Sequence, residues 1–162
     1  MPSPYSISFD PNEKDYFFDT DNHIRYRLIV FHRPELLQDY DSIRLNVFEL
    51  SFFPDNNIKP PKDVRVEATI IAYLKDFFAK QENALIVVYD SLDGRQHIRN
   101  ALFKRWLIKY DVLGELEYFD FKIELLKNKL LEGQFLFRTD HPQHDEIIEV
   151  IRMIITELQS LK

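Results

Sequence analysis

The chain has no cysteine. Disulfides, thiolate metal sites and a cysteine nucleophile are therefore excluded, which suits a reducing compartment. Glycine occurs only 3 times, too seldom for the glycine-rich loops that let a backbone close around a phosphate. No apolar run is long enough to span a bilayer, and the opening MPSPYSISFD lacks the apolar stretch of a secretory signal. Basic charge is also scarce overall: the formal net charge is −6, against the positive field that general nucleic-acid binding needs. No repeat or low-complexity tract occurs. These absences lead us to expect a cytoplasmic protein with no cofactor, no bound metal, and neither nucleic acid nor membrane as a partner.

What is present is ordinary globular material rich in rings. Hydrophobic residues make up 45% of the 162, with 14 Phe and 8 Tyr, enough for one domain over residues 1–162 with its own core. Tyr5–Phe9 reads as a short edge strand between Pro4 and Pro11. Asp15–Thr20 and Ile24–Phe31 read as a hairpin turning at Asp21–Asn22, residue types that tolerate positive φ. Along Ile43–Phe53 the apolar register switches phase between Val47 and Phe48, which calls for a bulge or for burial on both sides. The breaker-rich loop PDNNIKPPKD follows, and then Asp63 caps a helix to about Gln81. Further on, Phe119, Phe121, Ile123 and Leu125 alternate with Asp120, Lys122 and Glu124, a half-exposed strand whose hairpin partner is Gln134–Arg138. A last helix carries Ile147, Ile151, Ile154, Leu158 and Leu161 on one stripe. The pattern predicts an α+β fold: an antiparallel or mixed sheet of six or seven strands packed by three helices.

The chemistry concentrates in the stretch from Asn83 to Asp111. Ala84–Val88 is a continuous apolar run, hence a strand buried on both faces, and an acid-rich turn leads into a basic helix. Asp93 is the expected N-cap, with Gln96 completing a capping box. At 100° per residue, Ile98, Leu102, Phe103, Trp106 and Tyr110 fall on the arc expected to be buried, with Arg95 and Arg99 inside it and His97, Asn100 and Lys104 opposite. A guanidinium against a core needs a partner. Asp90 and Asp93 are the nearest acids, so Asp90, Asp93, Arg95 and Arg99 form either an internal clamp or a ligand site for a small anion.

Two other constellations have plainer explanations. Asp140, His141, His144 and Asp145 are metal-ligand types without a metal spacing, and with Pro142 they suit a helix start. Ser91, Asp93 and His97 are triad types, but crowded into one short turn without nucleophile-elbow glycines. No catalytic residue is assigned.

Short matches spread along the chain carry a resemblance. They are Thr20–Asp21, Arg65–Val66 with Thr69–Ile70, Asp90-x-x-Asp93-x-Arg95 with Arg99, Phe103 and Trp106, and Asp140 with Pro142. On these the chain resembles a small uncharacterised bacterial family of unknown function, which implies no activity. In element order it also resembles the GCN5-related acetyltransferase fold, which implies coenzyme A held by a Gly-x-Gly/Ala loop before the first helix. The corresponding loop here, Phe53–Val66, contains no glycine, and the two-helix insertion after the first strand is missing. Fold likeness does not confer chemistry. The leading expectation is a non-enzymatic module that binds a protein or assembles with itself; the rival is an acyl-CoA-dependent transferase or other small-anion enzyme at the Asp90–Arg99 corner. An exposed aromatic patch favours the first and a deep pocket ringed by that corner the second.

Overall fold

The structure, a computed structural model, describes residues 1–33, 46–55, 59–89, 94–112, 114–125 and 129–160. The N-terminal part is an antiparallel meander of β1 (Ser8–Asp10), β2 (Asp15–Asp19), β3 (Arg25–His32) and β4 (Asn46–Pro54). Its inward face follows the alternation: Phe18 sits opposite Tyr26 and Tyr16 opposite Leu28. The rings of Phe18 and Tyr26 stack at 5.3 Å, and the Tyr5 ring lies on Phe18 at 5.7 Å. In the β2–β3 turn the positive φ falls on His23 (59°), not on Asp21 or Asn22. Thr20 sets this shift, because its Oγ1 accepts from the Ile24 N–H at 3.1 Å and its carbonyl from the His23 N–H at 2.9 Å. The phase switch in β4 reflects burial on both sides. Pairing with β3 is continuous from Phe48 to Pro54, Val47 belongs to the core under one face, and Leu50 to the core under the other. Ile43–Arg44–Leu45 lies outside the described residues.

A helix, α1 (Val64–Phe77), then carries the chain across to β5 (Asn83–Tyr89), which pairs parallel with β4. Parallel neighbours require such a crossover. Asp63 caps α1 by accepting from the Arg65 N–H at 2.9 Å. The helix ends at Phe77 rather than near Gln81, where the Asn83 side-chain amide donates to the Phe77 carbonyl at 2.9 Å. After β5 come α2 (Gln96–Lys109), the hairpin β6 (Leu116–Leu125) and β7 (Lys129–Arg138), and α3 (His144–Ser160). The result is an α+β fold with a 7-stranded mixed sheet in the order β1-β2-β3-β4-β5-β7-β6. α1 and α2 cover one face, burying Ile70, Ile71, Leu74, Phe103 and Leu107. α3 covers the other face, over Val47, Ala84, Phe135 and Phe137.

The roll of α2 departs from the sequence expectation. Its buried residues are Phe103, Trp106 and Leu107, while Ile98 is 47% and Leu102 39% exposed. Asn100, expected on the wet side, is half-buried, and Arg95, expected inside, is exposed. The inward arc is thus rotated to centre on Phe103 and Leu107. Polar ties hold it there: Asn100 reaches β7, Lys104 reaches Asp120 on β6 at 2.6 Å, and Lys109 reaches the buried Glu67 on α1 at 2.7 Å. The helix also starts later than the expected Asp93 cap. Gly94 at φ +68° leaves helical geometry, and Arg95 is the N-cap, with no side-chain cap bond.

Candidate functional site

β4 and β5 pair in parallel from Asn46↔Asn83 to Leu50↔Val87. Beyond that point Ser51–Pro54 stays with β3 and Val88–Tyr89 stays with β7, so the two strands part at their carboxyl ends. Such a fork is where open sheets with parallel strands receive ligands. Here aromatic side chains fill it. Phe52 packs on Phe103 at 5.9 Å and on Trp106 at 6.0 Å, and Tyr89 lies 6.4 Å from Phe103.

Beside this plug, a polar network runs under the first half of α2. Asn100 donates to Glu132 Oε1 at 3.0 Å, and Gln134 donates to Asn100 Oδ1 at 2.8 Å and to Asp120 Oδ1 at 2.9 Å. The Tyr89 hydroxyl donates toward Gln134 Oε1 at 3.4 Å, and burial pushes that phenol far above its ordinary range. Gln134 and Glu132 are buried. Among the described residues, Glu132 Oε2, Gln96 Oε1 and Trp106 Nε1 are buried without a hydrogen-bond partner. Orphan groups are uncommon in folded proteins; the Glu132 oxygen belongs to the network under the first half of α2, whereas Trp106 lies in the second half of the helix.

Of the residues nominated from sequence, Arg99 is half-buried on the inward flank of α2 and Arg95 is exposed at its start. Asp90 and Asp93 lie outside the described residues, as does Ser91, while His97 is exposed. Sequence reasoning missed Asn100, Glu132, Gln134 and Asp120. One signal was available. Gly133 sits between two polar residues within a strand, and a glycine there marks close approach of another chain segment. A Cβ on Gly133 would collide with the Val87 carbonyl oxygen and the Phe121 ring.

The histidines before α3 do not converge. Asp140 is held by Arg138 through two bonds, at 2.7 and 2.8 Å, which lower its pKa. His141 is buried, and its Nδ1 accepts from the Gln143 N–H at 3.0 Å, so any proton of the neutral ring resides on Nε2. Burial holds its pKa down. His144 lies between Asp145 and Glu117, each at 3.0 Å, and both hydrogen bonds raise its pKa. No three His, Asp or Glu among the described residues gather to hold a metal.

Of the residues that carry the first resemblance, Asp21, Arg65 and Thr69 meet at the start of α1. The Arg65 guanidinium donates to Asp21 Oδ2 and to the Ser3 carbonyl, both at 2.8 Å, and lies 3.9 Å over the Tyr5 ring. Tyr5 donates its hydroxyl to Asp63 at 2.8 Å, and its N–H to Thr69 Oγ1 at 2.8 Å. The junction between β4 and α1 is thereby bound to the N-terminal segment by the chain's own groups.

Next to this clamp lies an aromatic groove of about 870 Å3 between α1 and the first strands. Phe9, Tyr16, Phe48, Tyr73 and Phe77 line it, with Ile7 and Val30. Phe9 and Tyr16 meet edge to face at 5.2 Å, and both are exposed. Burial pushes the Tyr73 phenol up to about 12, so it stays neutral at physiological pH. Among the described residues, no helix is long and apolar enough to cross a membrane. No curated protein matches the chain. A family model described as "Family of unknown function (DUF6169)" matches residues 62–153, more than half of the 162, and the chain belongs to that family.

Proposed function

We propose that this protein is a non-enzymatic interaction module and that the groove beside α1 receives a short apolar segment of a protein partner. The observation that carries this reading is the aromatic lining of a groove of about 870 Å3, in which Phe9 and Tyr16 are exposed and Tyr73 and Phe77 half-buried. Aromatic side chains supply large contact area at low conformational cost and are enriched in binding hot spots. The lining holds one acid, Asp76, and one base, Lys80, so an uncharged segment with aromatic or aliphatic side chains fits it best. Selection of displayed peptides against the full chain tests the reading. The expected outcome is enrichment of apolar peptides whose affinity drops at least about tenfold in Tyr73→Ala, since a hot-spot truncation costs about 2 kcal/mol or more. Failure to enrich any sequence, or affinity indifferent to Tyr73→Ala and Phe9→Ala, contradicts it.

The second reading is an acyl-CoA-dependent transferase or other small-anion enzyme at the α2 corner. The buried, half-partnered carboxylate of Glu132 favours it, with Arg95 and Arg99 on the adjacent turns. Against it stand the filled fork and the glycine-free loop before α1, where Arg65 is already engaged by Asp21, Ser3 and Tyr5. We therefore expect calorimetry with acetyl-CoA to show no saturable binding. Micromolar affinity abolished by substitutions in Phe53–Val66 or of Arg99 would instead establish the enzyme reading.

A further inference from the structure

α2 has a second apolar face, and it points to solvent. Ile98 is 47%, Leu102 39% and Ile108 61% exposed. On the helix they form one ridge with Ala101 and Arg105, both exposed. The helix carries basic residues but no acid from Gly94 to Tyr110, in a chain whose net charge is −6. α3 shows the opposite character. Its outward side presents Ile148 and the exposed Met153 beside the exposed acids Asp145, Glu146 and Glu149. A shallow concavity of about 730 Å3 runs along Asp145, Ile148, Glu149 and Met153, with Arg152 as its one base.

We propose that the α2 ridge of one copy docks on the outward face of α3 of a second copy. Apolar side chains meet at the centre and Arg105 faces the acids of α3, a pairing of opposite potentials that sets orientation and excludes the alternative of ridge on ridge. The two surfaces cannot meet within one chain, because α2 and α3 cover opposite faces of the sheet. Each copy therefore offers α2 to one neighbour and α3 to another. Such a heterologous contact builds a ring if it closes and a filament if it does not. This surface is separate from the groove beside α1, so the two proposals stand or fall independently.

Sedimentation of the full chain over a concentration series up to millimolar tests the proposal. The wild-type mass should climb above the monomer. Leu102→Asp and Met153→Asp, both at exposed positions, should each remain monomeric with an unchanged circular dichroism spectrum. A mixture of the two variants should form a one-to-one heterodimer and nothing larger, since one intact α2 and one intact α3 remain. A wild type that stays monomeric, a variant that still assembles alone, or a mixture that stays monomeric or grows past the dimer overturns the proposal. Binding of the monomeric wild type to phosphatidylserine vesicles, lost in Leu102→Asp, would assign the ridge to a lipid surface instead.

Discussion

At the scale of single residues, the tightest constraint is Gly133. It lies opposite Val88 on β5 and Phe121 on β6, so neighbours crowd it from both sides. Any Cβ there meets the Val87 carbonyl oxygen and the Phe121 ring, and backbone cannot yield as a flexible side chain can. Gly133→Ala is expected to destabilise the fold by about 1–3 kcal/mol, the usual cost of overpacking, read as a lower urea midpoint with unchanged slope. The same crowding sets the network under α2, because Glu132 and Gln134 flank this glycine and project to the α2 side, where Asn100 joins them. A neutral amide satisfies one oxygen of Glu132 while the other is buried unpaired. Arg99 was expected to be mostly buried and paired with Asp90 or, failing that, Asp93. It is half-buried, and both acids lie outside the described residues.

At the scale of elements, the start of α3 is held by two histidines with opposite titration. His144 gains protonated-state partners in Glu117 and Asp145, so its folded pKa is raised. Its contribution is fully present below the ordinary value of about 6.5 and is lost as pH rises through the raised value. His141 is buried with Nδ1 already accepting, so its folded pKa is lowered, by burial first, against the opposing pull of Glu82 and Asp140. Its contribution is present above about 6.5 and is lost as pH falls through the lowered value. The melting temperature should therefore show a local maximum near pH 6.5. His144→Gln should flatten its alkaline side and His141→Gln its acid side; a profile unchanged by both substitutions contradicts this account. How far the elements could be read in advance follows the same physics. Strands with one wet face announce themselves by alternation, as β3 and β6 do, and Asp63 marks α1 by its capping chemistry. The doubly buried β4 was legible as a phase switch because Val47 and Leu50 serve opposite cores. The roll of α2 was not legible. Apolar residues surround that helix on nearly all sides, and its orientation is decided by partners distant in sequence, Glu67, Asp120, Glu132 and Gln134. The buried polar residues under α2, Glu132 and Gln134, could not be foreseen, because they come from β7, which only the sheet order brings alongside β5.

At the scale of the whole molecule, one sheet divides the work between its faces. One face carries α1 and α2 and the larger core, the other carries α3 and a smaller one. The parallel fork between β4 and β5 is filled with aromatic side chains, and the two surfaces proposed for recognition lie outside it, in the groove beside α1 and along the outer ridge of α2. All of this depends on which side of α2 faces the sheet. Leu102 and Leu107 lie five residues apart on the same helix, with the first 39% exposed and the second fully buried. Substituting each by alanine and comparing urea denaturation tests the assignment most directly. Leu107→Ala should lose about 2–5 kcal/mol, the range for emptying a core site. Leu102→Ala should stay within about 0.5 kcal/mol of the parent at a concentration where the chain is monomeric. Equal losses, or a larger loss at Leu102, would mean that the ridge is core and that α2 has no second face to offer.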